Sequence, residues 1–117
     1  MAAALTDISS DLETAPADEP GLMTQLRQLV GKAPGRTIEL AREGQKRFPG
    51  SPDAPERSWM IAKALVSLGR FEEACGEARH LMRRHPENVW AIDAMRHLLL
   101  QPLDLPSRTR RHHWDWD

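Results

Sequence analysis

"SWMIAKALVSLGRFEEACGEARHLMRRHPEN", residues 58–88, decides the fold. Trp59, Ala62, Leu65, Val66 and Leu68 recur at the three-to-four spacing of one helix face. Gly69 ends that stripe, since glycine takes the left-handed conformation of a helix stop without steric penalty. Phe71, Ala74, Ala78, Leu81 and Met82 form a second stripe, and Pro86 prevents that helix from running on. The short reversal at Gly69 turns the second helix back along the first. Ala74 and Ala78 are small enough to let the two approach closely. The spacing predicts a core centred on Trp59, Leu65, Phe71, Ala74, Ala78 and Leu81.

The same patterns extend outward from this hairpin. Asp53 and Glu56 are spaced as a capping box ahead of the first of its helices, with Pro55 suited to the first turn. "PGSP", residues 49–52, stops an earlier helix expected from about Thr37 to Phe48, with Ile38, Leu40, Ala41 and Phe48 as its apolar members. Leu22, Leu26, Leu29 and Val30 mark a helix before that, which "GKAPG" at 31–35 ends. After Pro86, Asn88 is placed to cap a fifth helix, with Trp90 or Ile92, Met95, Leu98 and Leu99 as its stripe and Pro102 as its close. No segment alternates as a strand does. The fold class is therefore all-α. Five short helices fill residues 18–102, between an acidic arm, 1–17, and a C-terminal tail, 103–117.

An internal repeat runs through the helices. "ELAREGQKRFP" (39–49) lies over "GEARHLMRRHP" (76–86) at a spacing of 37, matching Ala41 with Ala78, Arg42 with Arg79, Arg47 with Arg84 and Pro49 with Pro86. Residues 58–88 resemble a tetratricopeptide repeat (TPR). The bulky Trp59, Ala62, Leu65, the turn glycine Gly69, Phe71, Ala74, Ala78 and Pro86 follow that family's pattern, and "LGRFEEA" (68–74) is its most family-like heptad. Departures fall at Trp59, one place later than the family's bulky position, and at Leu81, Gly44 and Thr37, where the pattern expects alanine. Residues 87–100 supply one helix only, like a terminal capping helix. The resemblance implies a short stack of about two and a half TPR-like hairpins and, with it, a protein-binding role. The family's carboxylate clamp is not supported, because Lys63 is its one obvious counterpart on the first helix of the best repeat.

Composition narrows the function classes. Net charge is -1, which argues against a nucleic-acid or membrane partner. Residues 1–20 hold Asp7, Asp11, Glu13, Asp18 and Glu19 without a Lys or Arg, so the rest of the chain is mildly basic. Cys75 is the single cysteine, so no internal disulfide forms. The N-terminus lacks a signal-peptide pattern, and a cytoplasmic location is expected. Cys75 reads as a small packed residue, without a base or oxyanion donor to activate it. No phosphate loop, carboxylate pair or Ser/His/Asp ordering stands out. The expectation is a non-enzyme without cofactor or metal.

Two clusters are the candidate partner-binding residues. Arg79, Arg83 and Arg84, with His80 and His85, crowd the end of the fourth helix, where cations offset the helix dipole or face an acidic peptide. "RTRRHHWDWD", residues 108–117, carries Arg110, Arg111, His112, His113, Trp114, Asp115, Trp116 and Asp117. Four readings of this tail stay open: a cap on the helical stack, a linear recognition tail anchored by tryptophans, a single-strand nucleic-acid contact, and a substrate. A W-x-W tail on a leader-like body is similar to precursors of enzymatically modified peptides, which implies a modifying enzyme as partner. The expected function is a protein-binding adaptor, accessory subunit or chaperone, with the precursor as its alternative.

Overall fold

A computed structural model describes residues 18–99 of the 117. Among the described residues there are five helices and no strand, so the chain is all-α. The helices are α1 (Glu19–Leu29), α2 (Pro34–Arg47), α3 (Ala54–Ser67), α4 (Phe71–Arg84) and α5 (Val89–Ala94), the last continued by a π-helical turn, Met95–Leu99. The arm 1–17 and the tail 103–117 lie outside the described residues.

Local chemistry sets the helix ends. The Asp18 carboxylate caps α1, accepting from the Gly21 N–H at 3.1 Å. "GKAPG" ends one helix and also begins the next. Gly31 turns the chain at φ 88°, and α2 starts at Pro34, three residues ahead of the expected Thr37. Proline's fixed φ suits a first helical position, where no N–H donor is needed. Thr37 is instead buried inside α2, its hydroxyl donating to the Ala33 carbonyl at 2.8 Å.

The expected Asp53–Glu56 capping pair does not form. Asp53 makes no side-chain cap, and its N–H donates to Ser51 Oγ at 2.9 Å. Glu56 is held by Arg27 of α1 through two bonds, 3.0 and 2.8 Å. A bidentate charge-assisted pair outweighs a single capping bond. At the other end of α3 the expected stop is present. Gly69 has φ 77°, its N–H donates to the Val66 carbonyl, and the Arg70 N–H donates to that of Leu65, each at 2.9 Å. This is the Schellman arrangement. Asn88 caps α5 by accepting from the Trp90 N–H at 2.9 Å.

The helices lie in two layers. Ion pairs Arg27–Glu56 and Glu19–Arg57 join α1 to α3, and the Trp59 and Trp90 rings join α3 to α5. In the second layer Arg42 of α2 pairs with Glu77 of α4 at 3.6 Å. Between the layers one apolar cluster runs from Leu22 and Leu26 through Leu40, Met60, Ile61 and Leu65 to Ala78, Leu81, Ala94 and Leu98. Each large side chain buried there is worth about 1.5–3 kcal/mol.

Several expected core positions differ. Trp59 is only partly buried. Phe71 is exposed beside exposed Leu68, at the hairpin tip where the two helices have only begun to face each other. On α5 the buried face is Ala91, Ala94 and Leu98, whereas Ile92 is exposed and Trp90 and Met95 are half-buried. Alanines let α5 approach the stack closely, and the bulkier residues stay at its flanks. The side chain of Leu99 is outside the described residues.

α2 and α4 are both 14 residues long, and both their ends are offset by 37 positions. Three of the four buried residues of α2, Thr37, Ala41 and Gly44, correspond at the same offset to the buried Ala74, Ala78 and Leu81 of α4, whereas the fourth, Leu40, lies over Glu77. The turn glycines Gly31 and Gly69 are one position further apart, because the first turn is one residue longer.

Candidate functional site

Glu77, His80, Leu81 and Arg84 follow one another at i, i+3, i+4 and i+7 on α4, so they share a face. That face looks across at Arg42 and Gln45 of α2. Between them is a groove of about 410 Å³, completed by Pro49 of the following loop, Ala54 and Ser58 of α3, and His85. Its volume is in the range of small-ligand sites, about 300–1,000 Å³.

The floor of the groove is pinned. Gln45 Nε2 donates to the Ala54 carbonyl at 3.1 Å and to Ser58 Oγ at 2.9 Å. Its Oε1 accepts from Arg57 Nε at 2.8 Å. Arg57 is fully buried and is satisfied from three sides. Its Nη2 donates to the Phe48 carbonyl at 2.7 Å, and its Nη1 pairs with the Glu19 carboxylate and approaches Met23 Sδ at 3.6 Å. The hydrogen bond from Arg57 holds the Glu19 carboxyl below the usual carboxylate range, aided by Ser51. Arg57 thus fixes α1, the end of α2 and α3 together beneath the groove. It serves the fold rather than a ligand.

The groove walls are freer. Arg42 contacts Glu77 at 3.6 Å, beyond ordinary N–H···O hydrogen-bond length. The side chains of Arg84, His80 and His85 have no hydrogen-bond or ion-pair partner among the described residues. Of the candidate arginines, only Arg84 lines the groove. Arg79 and Arg83 are exposed on other faces of α4. Arg110, Arg111, His112, His113, Trp114, Asp115, Trp116 and Asp117 lie outside the described residues.

A second cluster joins α3 to α5. The Trp59 and Trp90 rings meet at 4.6 Å with their planes tilted by 52°. Trp59 Nε1 donates to Asp93 Oδ2 at 2.7 Å, and the Lys63 ammonium sits 5.1 Å from the Trp59 ring centre. The Trp59 polar handle is already used within the fold, so these aromatics act first as glue between helices.

Cys75 is half-buried, with Sγ 4.0 Å from the Leu98 carbonyl. Burial pushes its thiol pKa up, the reverse of what a nucleophile needs. Among the described residues no three His, Cys, Asp or Glu side chains group as metal ligands. No described helix is long and apolar enough to cross a membrane.

Sequence reasoning missed Arg42, Gln45, Ser58 and Glu77 as groove residues, and Arg57 as a buried cation. The 77/80/84 spacing was a usable signal for the α4 wall. The pairing of that wall with Arg42 depends on how α2 packs. No family model, curated protein or solved structure matches the chain.

Proposed function

We propose that the chain is a non-catalytic protein-binding adaptor, accessory subunit or chaperone, built as a short TPR-like stack, with the C-terminal segment as a second contact. The observation that carries this reading is the groove between α2 and α4. A pinned floor lies beneath walls whose donor side chains, Arg84, His80 and His85, have no partner among the described residues. A recognition surface needs donors left for a partner on a backbone that is already fixed, so that ordering at binding is confined to the wall side chains. The equal lengths and common 37-residue offset of α2 and α4 support the repeat reading. Cys75 is not activated, because burial raises its thiol pKa.

Purification at native abundance from the source tests the proposal. The expected result is an unchanged intact mass and a stoichiometric protein partner that is lost from the Arg42→Gln/Arg84→Gln variant or from Trp114→Ala/Trp116→Ala. If the tryptophan pair serves a partner and not the fold, its loss should leave the melting temperature within about 1–2 °C. A chain that purifies alone, with a cleaved tail or a mass lower by a few hydrogens, would instead support a precursor acted on by a modifying enzyme.

A further inference from the structure

We infer that the α2–α4 groove takes a short acidic peptide segment of a partner protein, and that a carboxylate of that segment displaces Glu77 from Arg42. This rests on the reading of the chain as a protein-binding module and adds the chemistry of its ligand. The groups the groove offers are nearly all donors. Arg42 and Arg84 each present a guanidinium with five N–H donors, and His80 and His85 each present at least one N–H. Ser58 Oγ already accepts from Gln45 Nε2, so its own hydroxyl proton is left to donate. Two acceptors of the floor are already engaged. The Ala54 carbonyl takes Gln45 Nε2, and Gln45 Oε1 takes Arg57 Nε. A donor-lined groove selects a ligand that brings acceptors with negative charge.

Glu77 is the one carboxylate of the lining, and it occupies the place such a ligand would fill. Its side chain is 15 % exposed, whereas Arg42 is 54 % exposed and held only at 3.6 Å. Arg42 can therefore turn to a closer, bidentate carboxylate while staying in contact with solvent, and the exchange costs the mostly buried Glu77 carboxylate its partner. Arg84, on the facing helix, provides the second grip. A nucleic-acid backbone fits less well. It wants a continuous basic track, and here Glu77 interrupts the lining while Arg79 and Arg83 turn away from it.

Fluorescence anisotropy with the full chain tests this, using a labelled ten-residue peptide of alternating glutamate and alanine and its glutamine counterpart. The glutamate peptide should bind at least about tenfold more tightly than the glutamine one, and less tightly as salt rises past the range where the Debye length is about 8 Å. Arg42→Gln and Arg84→Gln should each weaken binding about fivefold or more, the order of one charge-assisted pair. Glu77→Gln should tighten it, because the internal competitor is gone. Arg79→Gln/Arg83→Gln removes two charges outside the groove and should change affinity by less than about twofold. Arg42, Glu77 and Arg84 are on the groove walls and Arg79 and Arg83 are exposed outside it, and circular dichroism melts check that each variant folds. Equal binding of the two peptides, no binding of either, tighter binding of a single-stranded oligonucleotide, or equal losses from the Arg79/Arg83 pair would each overturn the acidic-peptide assignment. Weaker binding by Glu77→Gln would overturn the displacement. A native partner retained by the Arg42/Arg84 variant would leave the protein-binding reading standing while this one fails.

Discussion

α2 and α4 share a length and a register, yet at the last position buried in both they solve the same packing problem in opposite ways. Gly44 of α2 faces Arg57 of α3, and a Cβ built on Gly44 would stand 2.7 Å from Arg57 Cδ. Thirty-seven positions on, α4 carries Leu81, and the residue corresponding to Arg57 is the buried Ala94 of α5. One seam is a glycine under a buried arginine. The other is a leucine in a cluster with alanines. A common backbone frame thus tolerates either a polar or an apolar filling, provided that large on one helix meets small on the other.

Removing the polar filling should have the largest effect. Arg57→Met leaves the Glu19 carboxylate, Gln45 Oε1 and the Phe48 carbonyl without their common donor. Breaking a buried pair in this way costs about 3–5 kcal/mol, read as a lower urea midpoint. Leu81→Ala in the apolar seam should cost about 2–5 kcal/mol by cavity formation alone, and without pH dependence. Equal, pH-independent losses at the two sites would mean that the seams do not differ in kind.

The next effect is smaller and has an unusual sign. Gly44→Ala is a helix-favouring change, worth up to about 1 kcal/mol of propensity. Here it should destabilise by about 1–3 kcal/mol, because the new methyl meets Arg57 Cδ, Arg57 Nε and Leu22 Cδ2 at 3.0 Å or less. The same change in the Arg57→Met background should cost less, and a double-mutant cycle measures the difference. If the penalty is unchanged, the glycine is not there for Arg57. In the other hairpin Ala78→Leu, at a fully buried site, should overpack by about 1–3 kcal/mol without any coupling to position 57.

How much of this the sequence disclosed follows the same division. The apolar seam was legible: Leu65, Ala74, Ala78, Leu81 and the left-handed Gly69 are where periodicity placed them. The polar seam was not. Arg57 sits in the first turn of α3, where an arginine ordinarily reads as surface, and its partners Glu19, Gln45 and Phe48 come from two other helices and a cap. Gly44, a glycine at a position where the repeat pattern expects alanine, was its one local trace. The groove was half legible for the same reason. Its α4 wall is a spacing within one helix, but Arg42 and Ser58 join it only through tertiary packing.

Acid should sharpen the contrast further. The Glu19 carboxyl is held below its ordinary value in the fold, first by the Arg57 hydrogen bond. A depressed carboxyl contributes stability that is fully present above its unfolded pKa, about 4.3, and is lost as pH falls through the folded value. The stability gap between the wild type and Glu19→Gln should therefore be largest near neutrality and close below pH ~4. Thermal melts from pH 7 to 3 read it. A gap that is constant with pH would mean that Glu19 contributes by packing alone.

The smallest effect marks where the polar seam begins. Residues 1–17 contribute Asp7, Asp11 and Glu13, no Lys or Arg, and few large apolar groups, so their composition offers little surface whose burial would offset ordering. Asp18 and Glu19 belong to the same acidic run by composition, but one caps α1 and the other pairs with buried Arg57. Deleting 1–17 should leave the melting temperature within about 1–2 °C of the full chain, the range of changes that touch no packed group. Deleting 1–19 removes two more residues and should lower it well beyond that, because Arg57 then keeps its charge without its carboxylate. The two truncations differ only by an aspartate and a glutamate, so chain length cannot explain a difference between them. A marked loss already at 1–17 would show instead that the arm contributes to the fold, and the seam would have to be extended to include it.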